Sequence, residues 1–457
     1  MARFRAVGGT IGALALAVAT AGMPASAQTL DEALVATYNN NPQLLAERAQ
    51  LRVVDEQVPQ ALSGWRPTVT ATASAGIARD ETRLPGRTVT QNINPLSIGA
   101  TVSQPLYRGG RTVANTERAV FSVQAQRAQV ISVEQQVLQI AVQAYMNLFR
   151  NIAVVQLNAN NVEVLRRQLD AAQDRFRVGE VTRTDVAQAE SRLARAIADR
   201  REAEGNVEIA KATFERITGL IPTQVSFPTR VPKAPPSRTE AVRLAEANNP
   251  SVIGAKFVEL SARSNVRSIT GELLPTVSLD ASVQRFEESQ NADQKDTTAT
   301  VVARVTVPLY EAGSTYSRVR EAKQLAGRRR VDIETQRRIA VEQANSRWDA
   351  LVTARARIDA LRENIRAAQI ALDGVQQEAA VGSRTVLDIL DAEQELFNAR
   401  VNLVSSQRDE MVGVYDLTAA TGRLTARDLG LNVELYDMDA YYNAVKDKWI
   451  GLGEPLD

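Results

Sequence analysis

The sequence predicts an α+β membrane protein. Each chain should supply four transmembrane β-strands and two long antiparallel α-helical coiled-coil hairpins, laid out as an internal twofold repeat. Three observations predict this. The 16 prolines of the 457-residue chain leave two proline-free stretches, 106–221 and 309–454. Proline inside a helix costs about 3 kcal/mol, so gaps of that size mark very long helices. Four segments of about ten residues alternate apolar with small polar side chains, the period-2 signature of a strand with two unlike faces, and that length crosses a bilayer at a tilt. Finally, the chain matches itself in order along its length.

The self-match sets the organisation. Glu32-Ala33-Leu34 recurs as Glu240-Ala241-Val242, Asn41-Pro42 as Asn249-Pro250 and Pro67-Thr68-Val69 as Pro275-Thr276-Val277, all 208 residues on. Further along the offset is 203: Pro105-Leu106-Tyr107 matches Pro308-Leu309-Tyr310, Val178-Gly179 matches Val381-Gly382, Asp185 matches Asp388 and Thr218-Gly219 matches Thr421-Gly422. Copy two is therefore five residues shorter, the loss falling in a polar loop between residues 284 and 298. The copies are 28–221 and 238–424. A proline-rich linker, 222–237, straps them together in extended form, and a tail, 425–457, follows.

Residues 1–27 read as a signal peptide: Arg3 and Arg5, an apolar run from Val7 to Gly22, then Pro24-Ala25-Ser26-Ala27. Cleavage is expected between Ala27 and Gln28, which makes the protein exported. The absence of cysteine leaves no thiol for lipid attachment or oxidation. Each copy then opens with a helix, Leu30–Leu62 or Thr239–Leu273, the first broken by Pro42 and Pro59. Two strands follow in each. In copy one Val69, Ala71, Ala73, Ala75 and Ile77 alternate with Thr and Ser, then Leu96, Ile98, Ala100 and Val102 do the same. Copy two repeats this at Val277–Val283 and Val301–Val307. The connections Arg79–Asn94 and Gln284–Thr298 are polar loops. Long helices come next, about Thr112–Arg177 and Tyr316–Ala380, each spanning about 100 Å. A Val-Gly turn leads into a returning helix ending at Thr218 or Thr421. Apolar positions stepping by 3 and 4, such as Val162, Leu165, Leu169, Ala172 and Phe176, specify antiparallel coiled-coil packing.

Composition excludes whole classes of chemistry. With no His and no Cys there is no imidazole base, no thiolate and no ordinary zinc site. A formal charge of +1 argues against phosphate-driven nucleic-acid binding. No G-x-x-x-x-G-K-[ST] run offers an ATP site. Arg328-Arg329-Arg330 and Arg337-Arg338 read as a solvated helix face. Asp388 and Asp391 lack the aromatic cleft of a glycosidase, and Asp437 and Asp439 lack a calcium-loop glycine. Neither enzyme nor cofactor is expected.

Four strands cannot close a barrel, and open edges cannot sit in lipid. Self-association must complete the barrel, with eight, twelve or sixteen strands. A hairpin of about 100 Å is far longer than a bilayer is thick and must project into the periplasm. The expectation is an oligomeric conduit; a periplasmic adaptor or coiled-coil scaffold is the alternative, set against it by the four lipid-type strands.

The twofold repeat, the junctions Gln104-Pro105-Leu106-Tyr107-Arg108-Gly109-Gly110 and Pro308-Leu309-Tyr310-Glu311-Ala312-Gly313, and the two Val-Gly turns resemble the TolC family of outer-membrane efflux proteins. The resemblance implies a homotrimer with a 12-stranded barrel in the outer membrane of a Gram-negative cell. It also implies an α-helical periplasmic tunnel that docks a periplasmic adaptor and an inner-membrane pump, ABC-type or proton-driven, for type I secretion or drug efflux. The turns Val178-Gly179 and Val381-Gly382 would close the entrance and touch the adaptor, while also being plain turn chemistry in which Gly179 and Gly382 permit positive φ. Thr182 or Thr184, and Ser383 or Thr385, cap the returning helices. By resemblance, Asp388 and Asp391 line the constriction as acidic rings, and Arg384 ties the second tip to the first through Asp185. Ala379 stands where some members carry an aromatic.

Overall fold

The computed structural model describes residues 28–288 and 293–453. The predicted signal peptide, with Ala27, lies outside them, and Gln28 begins the described chain by bridging to Val225 of the linker.

Copy one opens with three short helices, α1 (Leu30–Asn40), α2 (Pro42–Asp55) and α3 (Gln57–Leu62). Pro42 does break the predicted single helix: it sits at the first position of α2, where Asn41 caps Gln43 and Leu44. The second break falls at Glu56, and Pro59 lies inside the first turn of α3, where its missing N–H costs little. Copy two has the same break. α6 (Arg238–Asn248) and α7 (Pro250–Thr270) divide at Asn249-Pro250, with Asn249 as the cap, so the unbroken helix expected there is corrected.

Strands β1 (Thr68–Ala75), β4 (Leu96–Arg108), β5 (Thr276–Glu287) and β6 (Lys295–Thr306) form one antiparallel sheet in the order β1-β4-β5-β6. The expected polar loop 79–94 is instead a second hairpin, β2 (Ala78–Leu84) with β3 (Arg87–Ile93), turning through Pro85 and Gly86. Its alternation is carried by charged and Thr residues rather than apolar ones, so no apolar period announces it. Among the described residues copy two has no such ribbon, and β5 and β6 run on into the segment read as loop.

α4 (Arg111–Arg177) and α8 (Ser314–Ala380) are 67 residues each, close to the predicted bounds, and return as α5 (Arg183–Thr218) and α9 (Val386–Ala420). Among the described residues no helix is long and apolar enough to cross a membrane.

The main core lies at mid-height, where Leu34, Leu138, Val142, Tyr145, Phe214 and Tyr415 are fully enclosed. The Tyr145 hydroxyl lies 2.7 Å from the carbonyls of both Gln28 and Ser226 and accepts from the Ser226 N–H. One phenol thus pins the linker and the start of the chain to α4. The tail, with α10 (Ala426–Leu429) and α11 (Ala440–Val445), packs against α2 and α4. It is tied by Arg127 to Asp439 at 2.6 Å and by the Tyr441 hydroxyl donating to Glu56 at 3.0 Å.

Sheet and helices meet at a close backbone contact. Gly109 (φ +61°) sits so near Gly271 that a Cβ on it would lie 2.1 Å from the Gly271 carbonyl oxygen. The end of β4 and the end of α7 are locked together through two residues that have no side chain.

Candidate functional site

Residues directly opposed in an antiparallel sheet share a face. Val69, Ala71 and Ala73 of β1 face Val102, Ala100 and Ile98 of β4. Val102 and Ala100 face Ala281 and Val283 of β5, which face Val301 and Ala299 of β6. One side of the sheet is therefore apolar across all four strands. The other side carries Thr70, Thr101, Ser282 and Thr300 in a row. There Ser103 donates to Asp280 at 2.6 Å, and Arg304 pairs with the same carboxylate at 3.4 Å. Both sides are open, with β1 and β6 exposed along their whole length. An apolar outside and a hydroxyl-lined inside suit a wall between lipid and water. β1 and β6 are also edges without a partner in the sheet.

The second feature is the pair of hairpin tips. At the first, Gly179 takes φ +83°, its N–H reaches the Phe176 carbonyl and the Glu180 N–H reaches Arg175. This satisfies the last carbonyls of α4. Thr182 then caps α5: its hydroxyl accepts from the Asp185 N–H, and Asp185 accepts from the Thr182 N–H at 2.8 Å. The second tip is built the same way. Gly382 takes φ +80°, and Thr385 and Asp388 form the reciprocal pair. Of the alternatives open in the sequence, Thr182 and Thr385 are the caps. The T-x-x-D spacing is the readable signal. Thr385→Ala is expected to cost about 1 kcal/mol and fray the first turn of α9, seen as faster amide exchange there with the mid-height core unchanged.

The predicted Arg384–Asp185 tie does not form within the chain. Arg384 curls back to Glu378 on its own hairpin, Nε to Oε2 at 2.7 Å, and Asp185 is engaged by its capping box. Asp388 is likewise engaged by the capping box, as the partner of Thr385. Hydrogen bonds from the Thr385 backbone N–H and hydroxyl hold its carboxyl below the usual range, with nearby Arg384 adding to the effect. Asp391 has a different partner: Arg192 of α5 donates to it at 2.7 Å. Beside this pair, Val386 and Leu390 of α9 sit in one apolar cluster with Val162, Leu165, Ala189 and Ala196 of the first hairpin. The second tip therefore rests on the first through an apolar patch flanked by one ion pair. Nothing local announces it, since the partners are 199 residues apart. Val178 and Val381 point apolar side chains into solvent at the two ends, 72% and 80% exposed. No cluster of acidic residues suited to a metal occurs among the described residues.

An amphipathic open-edged sheet joined to twin helical hairpins of this length defines the class of outer-membrane channel proteins. The chain belongs to the outer membrane efflux protein family, whose profile matches residues 33–220 and 241–423. It is 37% identical to the outer membrane efflux protein BepC of Brucella suis over 435 residues, covering 95% of this chain and 94% of that protein. It is 25% identical to the outer membrane protein TolC of Vibrio cholerae, covering 88% and 92%. Among solved structures it is similar to the Campylobacter jejuni CmeC outer membrane channel, with a TM-score of 0.77 and 17% identity over 92% of this chain and 89% of that one. The family is one of channels, so the protein is an outer-membrane efflux channel and not an enzyme.

Proposed function

We propose that three copies close their sheets into one 12-stranded barrel in the outer membrane and bring six hairpins together as a periplasmic tunnel. The assembly is the passive exit duct of a tripartite export system. A periplasmic adaptor docks at the tips and an inner-membrane pump, ABC-type or proton-driven, supplies the energy. The observation that carries this reading is the four-stranded sheet, apolar on one side and hydroxyl-lined on the other, with both edges unpaired. The exposed valines at the two Val-Gly turns support adaptor docking there. The likeness to the efflux protein BepC supports small toxic compounds as the first cargo to test.

The tips form the gate. Threefold symmetry would repeat Asp388 and Asp391 as two acidic rings at the entrance, focusing negative potential. Closure depends on the Arg192–Asp391 pair and the apolar seat beside it. Opening swings the second hairpin away and breaks both.

Single-channel recording in planar bilayers tests the duct and the gate. The wild type should give small steps. Arg192→Ala and Asp391→Ala should each raise conductance several-fold, and the double variant should add little, since both remove one contact. Arg384→Ala should stay near wild type because its partner lies on its own hairpin. Absence of current in every variant would overturn the duct, and unchanged conductance in both latch variants would overturn the latch.

A further inference from the structure

The chain contains a template for its own contact with the next copy. β4 and β5 belong to different repeats, so their junction is a repeat-to-repeat joint made within one chain. β6 is the repeat equivalent of β4, and β1 that of β5. The unpaired edges are thus the two halves of the same joint, left apart.

The internal joint is staggered. Gly99, the middle of the β4 apolar run, faces Gln284, four residues beyond Asp280, the middle of the β5 run. Within each repeat the step is smaller: Gly99 faces Thr72, near the middle of β1, and Asp280 faces Val302, two residues from Arg304, the middle of the β6 run. A level apolar girdle on tilted strands requires such steps, and the chain takes its largest step at the repeat boundary.

Residues past the end of β6 carry the mark of a missing partner. In copy one Pro105-Leu106-Tyr107 lies within β4 and pairs with Ser278 and Val277 of β5. The matching Pro308-Leu309-Tyr310 lies outside any strand. Leu309 and Tyr310 are 91% and 82% exposed, against 52% and 42% for Leu106 and Tyr107.

We infer that β6 of one copy pairs with β1 of the next in the β4–β5 register. Thr306 then lies opposite Thr72, Val305 opposite Ala73 and Pro308 opposite Thr70, with β6 extending to Glu311. Thr306 and Thr72 take the places of Ser103 and Asp280, a hydroxyl pair replacing a hydroxyl–carboxylate one. The copy is imperfect at one point. Gly109 corresponds to Ala312, which already has a side chain and holds φ +51°. The joint between copies is therefore wider at its base than the internal Gly109–Gly271 contact.

This inference rests on the trimeric duct and adds its register. The chain has no cysteine, so engineered pairs report cleanly. β1 and β6 are opposite edges of one sheet, about 14 Å apart, too far for a disulfide within a chain. Two pairs follow the template, Ala73→Cys with Val305→Cys and Thr72→Cys with Thr306→Cys. A third, Val69→Cys with Val305→Cys, would set Thr72 opposite Val302, flush and without the four-residue step of the internal joint. On oxidation of the full-length protein in membranes, at least one template pair should shift the monomer band to dimer and trimer on denaturing gels, with the flush pair remaining monomeric. Crosslinking of the flush pair alone, or of no pair in a preparation that has native trimer mass, overturns the register while leaving the duct standing. A native mass of one chain overturns the duct and the register together.

Discussion

Gly109→Ala is expected to destabilise the assembled protein by at least about 3 kcal/mol, combining the left-handed backbone penalty of an L-residue with overpacking. The added methyl would lie 2.1 Å from a backbone carbonyl oxygen, that of Gly271, which cannot rotate aside as a side chain would. Gly110 is the matched control. Its φ is +75°, but nothing lies within 4 Å of a Cβ there, so Gly110→Ala should cost only the backbone penalty, about 1 kcal/mol. Thermal unfolding of the purified protein, followed by the helical circular dichroism signal, should rank wild type above Gly110→Ala above Gly109→Ala. Equal midpoints for the two variants would mean that the β4–α7 contact does not hold sheet and helices together.

Asp55→Asn should stabilise the protein at pH 7.5 by about 2 kcal/mol, the value of a shift near two pKa units trimmed for local relaxation. Asp55 is 1% exposed and neither carboxylate oxygen has a hydrogen-bond partner. Burial pushes its pKa up to about 6. Arg127 opposes that shift, and Asp439 and Glu56 add to it. Arg127 does not neutralise Asp55, because its guanidinium is drawn to Asp439 of the tail. The folded pKa lies above the unfolded one, so the folded state holds the proton more tightly. The contribution of Asp55 to stability should be fully present below about pH 4, be lost as pH rises through about 6 and level off above. Asparagine removes that slope. Melting curves from pH 4.5 to 7.5 decide it, and a variant that keeps the wild-type slope would show that another group titrates.

The large architecture was legible because its signals are long and redundant. Proline gaps over a hundred residues wide, two apolar runs per repeat and a second copy of each cannot arise from local accident. The bounds of α4 and α8 came within two residues of the structure, since Gly110 and Gly313 open the helices and the Val-Gly turns end them. The β2–β3 ribbon was not legible. With both faces exposed to water it buries no apolar stripe, so the period that reveals a strand is absent. Pro59 misled for a related reason: a proline marks a helix end only if the position needs its N–H, and the first turn does not.

At the candidate site the division runs between contacts within a few residues and contacts across the chain. Thr182 with Asp185 and Thr385 with Asp388 are set three residues apart, and the backbone geometry of a helix start brings them together wherever the sequence is placed. Sequence alone therefore determined the tips, the hairpins and the two-faced strands. Only the tertiary structure decided which charges meet. Asp391 meets Arg192 because Val386 and Leu390 seat α9 against the first hairpin and place the two groups within reach, while Arg384 turns to Glu378 across its own tip. Ion pairing is a matter of a few ångströms, and no pattern along a chain encodes the distance between residues 199 positions apart.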